Sequence, residues 1–230
     1  MRLLLLGATG AVGREVLVAA LADPRVAAIT APTRRRLAAH AKLDAPLTDF
    51  DALDGHEPWW RVDAVICALG TTIRIAGSQA AFAAVDRDLP IRAARLARAA
   101  GATRFALNSS LGASPGGNFY LRTKAQAEAG IRELGFPVYT IVRPSLIDAK
   151  RDQPRAGERV ALVLARLLGR LVPRRYRPVP ADRIARALLD GVMRETPGEV
   201  IVMSEQLLAL RPTVEVPGAA ARQDARKRDQ

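Results

Sequence analysis

The sequence predicts an α/β fold, a doubly wound parallel sheet with a small C-terminal helical lobe. Two observations carry that prediction: short apolar runs alternate with segments of helical period, and a glycine-rich turn joins the first such pair. The 230 residues suit one large domain, and a composition of 49% hydrophobic and 25% charged residues is that of a globular chain, not a disordered one.

The elements follow in order. "RLLLL" is a continuous apolar run that stops at "GATGAVG", and "REVLVAALA" then carries apolar residues at helical spacing until Asp23 and Pro24 break it. "VAAIT" is a second short strand, so the first thirty residues form a βαβ unit with parallel strands. "LDAPLTDF" is a weak strand candidate and "VDAVICALG" a buried strand ending at Gly70. Two helices are expected next, "SQAAFAAVD" and then "LPIRAARLARAAG", which Gly101 closes. "TRFALNSS" reads as a strand, "NFYLRTKAQAEAGIRELG" as a helix closed by Gly135, and "VYTIVRP" as a strand stopped by Pro144.

Beyond Pro144 the pattern loosens. "GERVALVLARLLGRLV" and "ADRIARALLDGVM" predict helices on either side of "PRRYRPVP", "EVIVM" a last strand, and "SEQLLAL" a terminal helix. A single domain is assigned to 1–210, with a substrate lobe from about 145–195, and the polar stretch 211–230 to a disordered tail.

Composition narrows the function classes. Lys and Arg outnumber Asp and Glu by 35 to 23, a net charge of +12 that favours anionic partners. The single Cys67 excludes an intramolecular disulfide, and with no secretory signal visible the cytoplasm is expected. The longest apolar helix candidate is broken by arginines and falls short of the ~20 residues that span a bilayer, so no transmembrane segment is expected. His40 and His56 stand in polar segments without partners at metal-ligand spacing, so no metal is expected. Trp59 and Trp60 lie beside Pro58 in a linker before a strand, where packing at an edge is expected, and they lack interleaved basic residues, which argues against nucleic acid. The basic stretch from Arg166 to Arg177 reads as a solvated helix face, with an anion-selecting substrate entrance or a dock for an acidic partner as the alternatives.

Gly7, Gly10 and Gly13 form G-x-x-G-x-x-G between the first strand and the first helix, with Thr9, Ala11 and Val12 between them. Glycines there permit a tight turn and a close approach to a pyrophosphate, which then sits on the helix N-terminus. A carboxylate that would bond a ribose 2′-hydroxyl is missing after the second strand. Arg34, Arg35 and Arg36 stand in its place, favouring NADP(H) and a 2′-phosphate, with NAD(H) possible.

Tyr120 and Lys124 are four apart and share a helix face. A tyrosine with its ordinary pKa near ~10 becomes a useful acid or base at neutral pH when positive charge beside it stabilises the phenolate. Lys124 would supply that charge, and a serine at the preceding strand end would hold the substrate oxygen.

The glycine turn, "ICALGTT", "VDRDLPIRAARLARAAGATRF", "SSLGA", Tyr120 with Lys124, and Arg143 with Pro144 together resemble an atypical short-chain dehydrogenase/reductase. The small branch of Tat-interacting oxidoreductase-like proteins and their bacterial relatives is the most similar. The resemblance implies a Rossmann fold over residues 1 to about 200 and a catalytic triad of Ser110, Tyr120 and Lys124, with Ser109 as the fallback serine. It also implies that Lys124 bonds the nicotinamide ribose with Tyr120 at the cofactor beside it, that Leu69, Gly70 and Thr71 turn over the cofactor, and that Asp49 and Phe50 meet the adenine. Pro144 would border the cofactor as well. Two departures stand out: the short spacing from Ser110 to Tyr120 implies either a tight pocket or a less well placed serine, and "SLIDAKRD" lacks the glycine common in the extended members, which makes nucleotide-sugar epimerase chemistry the lesser reading. The expectation is an NADP(H)-dependent oxidoreductase of a small carbonyl or alcohol, monomeric or homodimeric. A cofactor-binding regulator with little turnover is the alternative.

Overall fold

A computed structural model describes residues 1–148 and 173–210. The helix expected from "GERVALVLARLLGRLV" and the tail from 211 lie outside the described residues.

Seven strands form one sheet: β1 (Arg2–Leu6), β2 (Ala28–Thr30), β3 (Leu43–Asp44), β4 (Ala64–Cys67), β5 (Arg104–Asn108), β6 (Val138–Arg143) and β9 (Gly198–Met203). Their order is β3-β2-β1-β4-β5-β6-β9, and every pairing is parallel. Two short strands, β7 (Ile147–Asp148) and β8 (Val179–Pro180), pair with each other beyond the end of β6. The order reverses between β1 and β4, which creates a crevice at the carboxyl ends of those strands where such sheets bind ligands.

The continuous apolar runs are explained by burial on both faces. Leu3 and Leu5 pack with α1 (Ala11–Ala22) and with α6 (Ala181–Met193) on one face. Leu4 and Leu6 face the opposite layer, which contains Ala93, Ala94 and Ala97 of α4 (Leu89–Ala99) and Ala127 and Ile131 of α5 (Phe119–Arg132). Two short helices, α2 (Ile73–Ala76) and α3 (Gln79–Ala83), precede α4, and α7 (Ser204–Leu207) follows β9.

Four features differ from the sequence expectation. The segment 181–193, assigned to the lobe, lies beneath the sheet beside α1, because Ile184, Ala185, Leu188 and Val192 form an apolar stripe that the sheet buries. The two helices expected within 78–101 run on as one: a π-helical turn, Ala84–Asp88, joins α3 to α4 two residues before Pro90, whose missing N–H already interrupts regular bonding. The strand expected from "LDAPLTDF" shrinks to two residues plus a bridge from Thr33 to Leu47, since Pro46 has no N–H to offer a ladder. Trp59 and Trp60, read as residues of a linker, are buried in the core with ring centroids 4.1 Å apart, and the Trp60 indole donates to the Asp54 carbonyl at 2.6 Å.

Candidate active site

The glycine turn sits in the crevice made by the strand reversal. Gly7 adopts φ +87°, and a methyl group there would come within 2.8 Å of the Ala68 backbone; one on Gly13 would lie 2.0 Å from the Gly7 carbonyl oxygen. Both glycines are therefore required for β1, the turn and α1 to approach so closely. Gly10 caps α1 without any side-chain hydrogen bond, and no acidic residue stands in the first turn. The helix N-terminus thus offers its N–H groups and its positive dipole end to an anion.

A cavity of about 330 Å³ opens from this turn. Gly7, Thr9, Arg34, Asp49, Phe50 and Leu69 line it, so six residues scattered through the first seventy meet in one place. Ala11, Val12 and Gly13 lie in the turn and helix behind, with Val12 and Gly13 buried, and Arg35 stands next to the cavity with its N–H on the Thr33 hydroxyl at 3.2 Å. Arg92 on α4 completes the wall: its guanidinium donates to the carbonyls of Asp51 (3.2 Å) and Leu53 and ties that loop in place. Sequence patterning gave no reason to single out Arg92. The residues fit a dinucleotide by their chemistry: an uncapped helix N-terminus for phosphate, guanidinium at the end of β2, and an aromatic wall at Phe50.

Tyr120 and Lys124 lie one turn apart on α5, whose N-terminus Asn118 caps by accepting from the Leu121 N–H at 3.0 Å. The Tyr120 ring packs on Phe82 of α3 at 5.5 Å between centroids. The Lys124 ammonium is buried and makes a 2.7 Å ion pair with Asp86, which stands in the π-helical turn. The other Asp86 oxygen accepts the Thr71 N–H at 2.8 Å, and Gly70 lies against the pair. One carboxylate therefore joins the turn after β4 to the lysine of α5. Burial alone would push the Lys124 ammonium down; Asp86 and then the nearby Tyr120 phenol outweigh it, so the group is held above the ordinary lysine value. It stays charged beside the phenol at any physiological pH.

The two serines after β5 separate. The Ser109 hydroxyl is buried and donates to Glu128 at 2.5 Å, and Glu128 in turn receives the Arg143 guanidinium through two bonds of 2.9 and 2.5 Å. Ser110 instead lines a second cavity of about 730 Å³ with Leu111, Leu121, Arg143 and Arg175, while among the described residues its hydroxyl has a 3.4 Å contact to the Leu111 carbonyl. Pro144 is buried behind, its carbonyl accepting from the Leu111 N–H at 2.8 Å. Asp86 and Glu128 were both missed as site residues from sequence. Glu128 had a signal, since it lies one further turn along the face of Tyr120 and Lys124.

Among the described residues no group of acidic, histidine or cysteine side chains could hold a metal, and no helix is long and apolar enough to cross a membrane. His40 and His56 are exposed. Cys67 is buried, and its surroundings push the thiol up to about 11.

A family model described as NAD(P)H-binding matches residues 7–191. Protein HTATIP2 of Rattus norvegicus is 32% identical over 213 residues, covering 89% of this chain and 86% of its own. The mitochondrial protein fmp52 of Emericella nidulans is 34% identical over 214 residues, covering 88% and 92%. Among solved structures, MoeE5 in complex with UDP-glucose and NAD superposes with a TM-score of 0.68 over 95% of this chain and 82% of its own, at 16% identity, a likeness of fold alone.

Proposed function

We propose that this chain, which belongs to the NAD(P)H-binding family and has the oxidoreductase-like fold of the atypical short-chain dehydrogenase/reductases, is an NADP(H)-dependent oxidoreductase of a small carbonyl or alcohol. The observation that carries the reading is the buried Lys124–Asp86 pair held against Gly70 and Thr71, with Tyr120 one helical turn away.

In this reading the turn from Gly7 to Gly13 binds the pyrophosphate through its backbone N–H groups, with Thr9 and the start of α1, Ala11 and Val12, around it. Arg34, which lines the cavity, and Arg35 beside it would take the 2′-phosphate, and Asp49 and Phe50 would border the adenine. Leu69 of the same wall, with Gly70, Thr71 and Pro144 outside it, would border the rest of the cofactor. The nicotinamide, when bound, supplies or accepts the hydride. Tyr120 gives its hydroxyl proton to the substrate oxygen during reduction and takes it back during oxidation. Lys124 stabilises the phenolate by its charge and faces the ribose, Asp86 fixes the lysine rotamer, and Ser110 donates to the same substrate oxygen.

Asp86 also supports a second reading. Its carboxylate offsets much of the charge that Lys124 would lend to Tyr120, which suits a cofactor-binding regulator with slow turnover. Tyr120→Phe separates the two: loss of NADPH-coupled carbonyl reduction with NADPH affinity kept supports the enzyme, and unchanged turnover sinks it. For compartment, the cytoplasm remains the proposal, although the fungal relative is named as mitochondrial.

A further inference from the structure

We infer that the cavity beside Ser110 takes substrates carrying an anionic head group, a carboxylate or a phosphate, and that Arg175 is the residue that recognises it. The inference rests on the oxidoreductase reading for the carbonyl end of the substrate and on the cavity itself for the anionic end.

The cavity, about 730 Å³, falls in the size range of small-molecule sites. It lies past the carboxyl ends of β5, β6 and β9, where Ser110, Arg143 and Met203 contribute to its wall. Leu111, Leu121, Leu146 and Met203 make much of that wall apolar, which suits a hydrocarbon or aromatic body.

Three charged side chains line it, and they are not equivalent. Arg143 is spent on Glu128, which it grips through two nitrogens. Glu205 is shared with an adjoining hollow lined by Arg174, Arg177 and Arg183, so its negative charge is outnumbered. Arg175 is the third, and among the described residues no carboxylate pairs with it. Its guanidinium instead lies over the Tyr176 ring, 4.6 Å from the centroid, a contact that leaves the edge of the planar group open to an oxyanion. A fork of N–H donors at the mouth of an apolar cavity discriminates between charged and neutral ligands of equal shape.

The test is calorimetric titration of the full chain, with NADP⁺ present because the oxidised cofactor has no hydride to give an aldehyde, by para-formylbenzoate, para-formylphenyl phosphate and the neutral methyl para-formylbenzoate. At least one charged aldehyde should bind about tenfold or more tightly than the ester, the gain of one charge-assisted pair. Arg175→Gln should remove that advantage while leaving ester affinity within about twofold, and Arg175→Lys should restore part of it. Equal affinities for charged and neutral probes in the wild type, or parallel losses for both in Arg175→Gln, would overturn the assignment. Reduction of the same aldehydes is followed separately. Turnover without discrimination defeats the anion site and spares the oxidoreductase reading, whereas discrimination without turnover does the reverse.

Discussion

Asp86→Ala is expected to be among the most damaging single changes in this fold. The side chains of Lys124 and Asp86 are 7% and 1% exposed, with nitrogen and oxygen 2.7 Å apart, so removing the carboxylate strands an ammonium in the interior. The Thr71 N–H loses its acceptor in the same step. Breaking a buried pair from one side costs about 3–5 kcal/mol, a large part of the ~5–15 kcal/mol that holds a typical domain folded. At about 2–4 °C per kcal/mol for a chain of this size, the melting temperature should fall by roughly 6–20 °C. Circular dichroism melts of wild type, Asp86→Ala, Asp86→Asn and the double change Asp86→Leu with Lys124→Met would measure it. Asp86→Asn keeps an acceptor for Thr71 and should lose less; the double change removes both charges and should recover most of the loss. If Asp86→Ala melts within about 2 °C of wild type, or if the double change melts as low as the single one, the pair is not the buried, mutually dependent contact described above.

Replacing Arg34 and Arg35 together with alanine should weaken NADPH about tenfold or more while NADH changes within about twofold, measured by fluorescence titration; a retained preference for NADPH would refute the 2′-phosphate assignment. The Cys67 thiol, buried and pushed up to about 11, should resist Ellman's reagent in the native protein and react fully in urea, and fast labelling of the native state would contradict its burial. Cys67, Tyr139 and Lys124 are all held above their ordinary values, the first two by burial and the last by Asp86 against burial. The folded state therefore keeps protons that the unfolded state releases, so stability is complete below the unfolded values and falls as pH rises from about 8.5. Urea midpoints should decline steadily between about pH 8.5 and 11, and a flat profile would contradict that sign.

The local parts of this molecule were legible in the sequence. "RLLLL" before "GATGAVG" specifies a buried strand and a tight glycine turn into a helix because both signals are short-range, and the placing of Tyr120 and Lys124 on one helix face shows itself through their spacing alone. The parts that were not legible depend on distant contacts. Asp86 looks like one more polar residue between helices until the π-helical turn carries it to Lys124, 38 residues later in the chain. Ser109 and Ser110 are adjacent and chemically identical; only the position of Glu128 shows that one is locked inward while the other borders the cavity. The helix Ala181–Met193 has the same period whether it belongs to a lobe or lies under the sheet, and the partner that decides, α1, is at the other end of the chain.

The part assigned to Tyr120 is tested most directly by deuterium transfer. Wild type and Tyr120→Phe, each saturated with NADPH carrying deuterium at both C4 positions of the nicotinamide ring, would be given a panel of aldehydes and ketones, in whose alcohol products the label stays on carbon, and the products analysed by mass spectrometry. The wild type should deliver the label to an alcohol product, and Tyr120→Phe, with NADPH still bound, should deliver it about 100-fold more slowly or worse. Label appearing equally fast with both proteins would remove Tyr120 from the chemistry, and no label from wild type with bound NADPH would contradict the oxidoreductase reading itself.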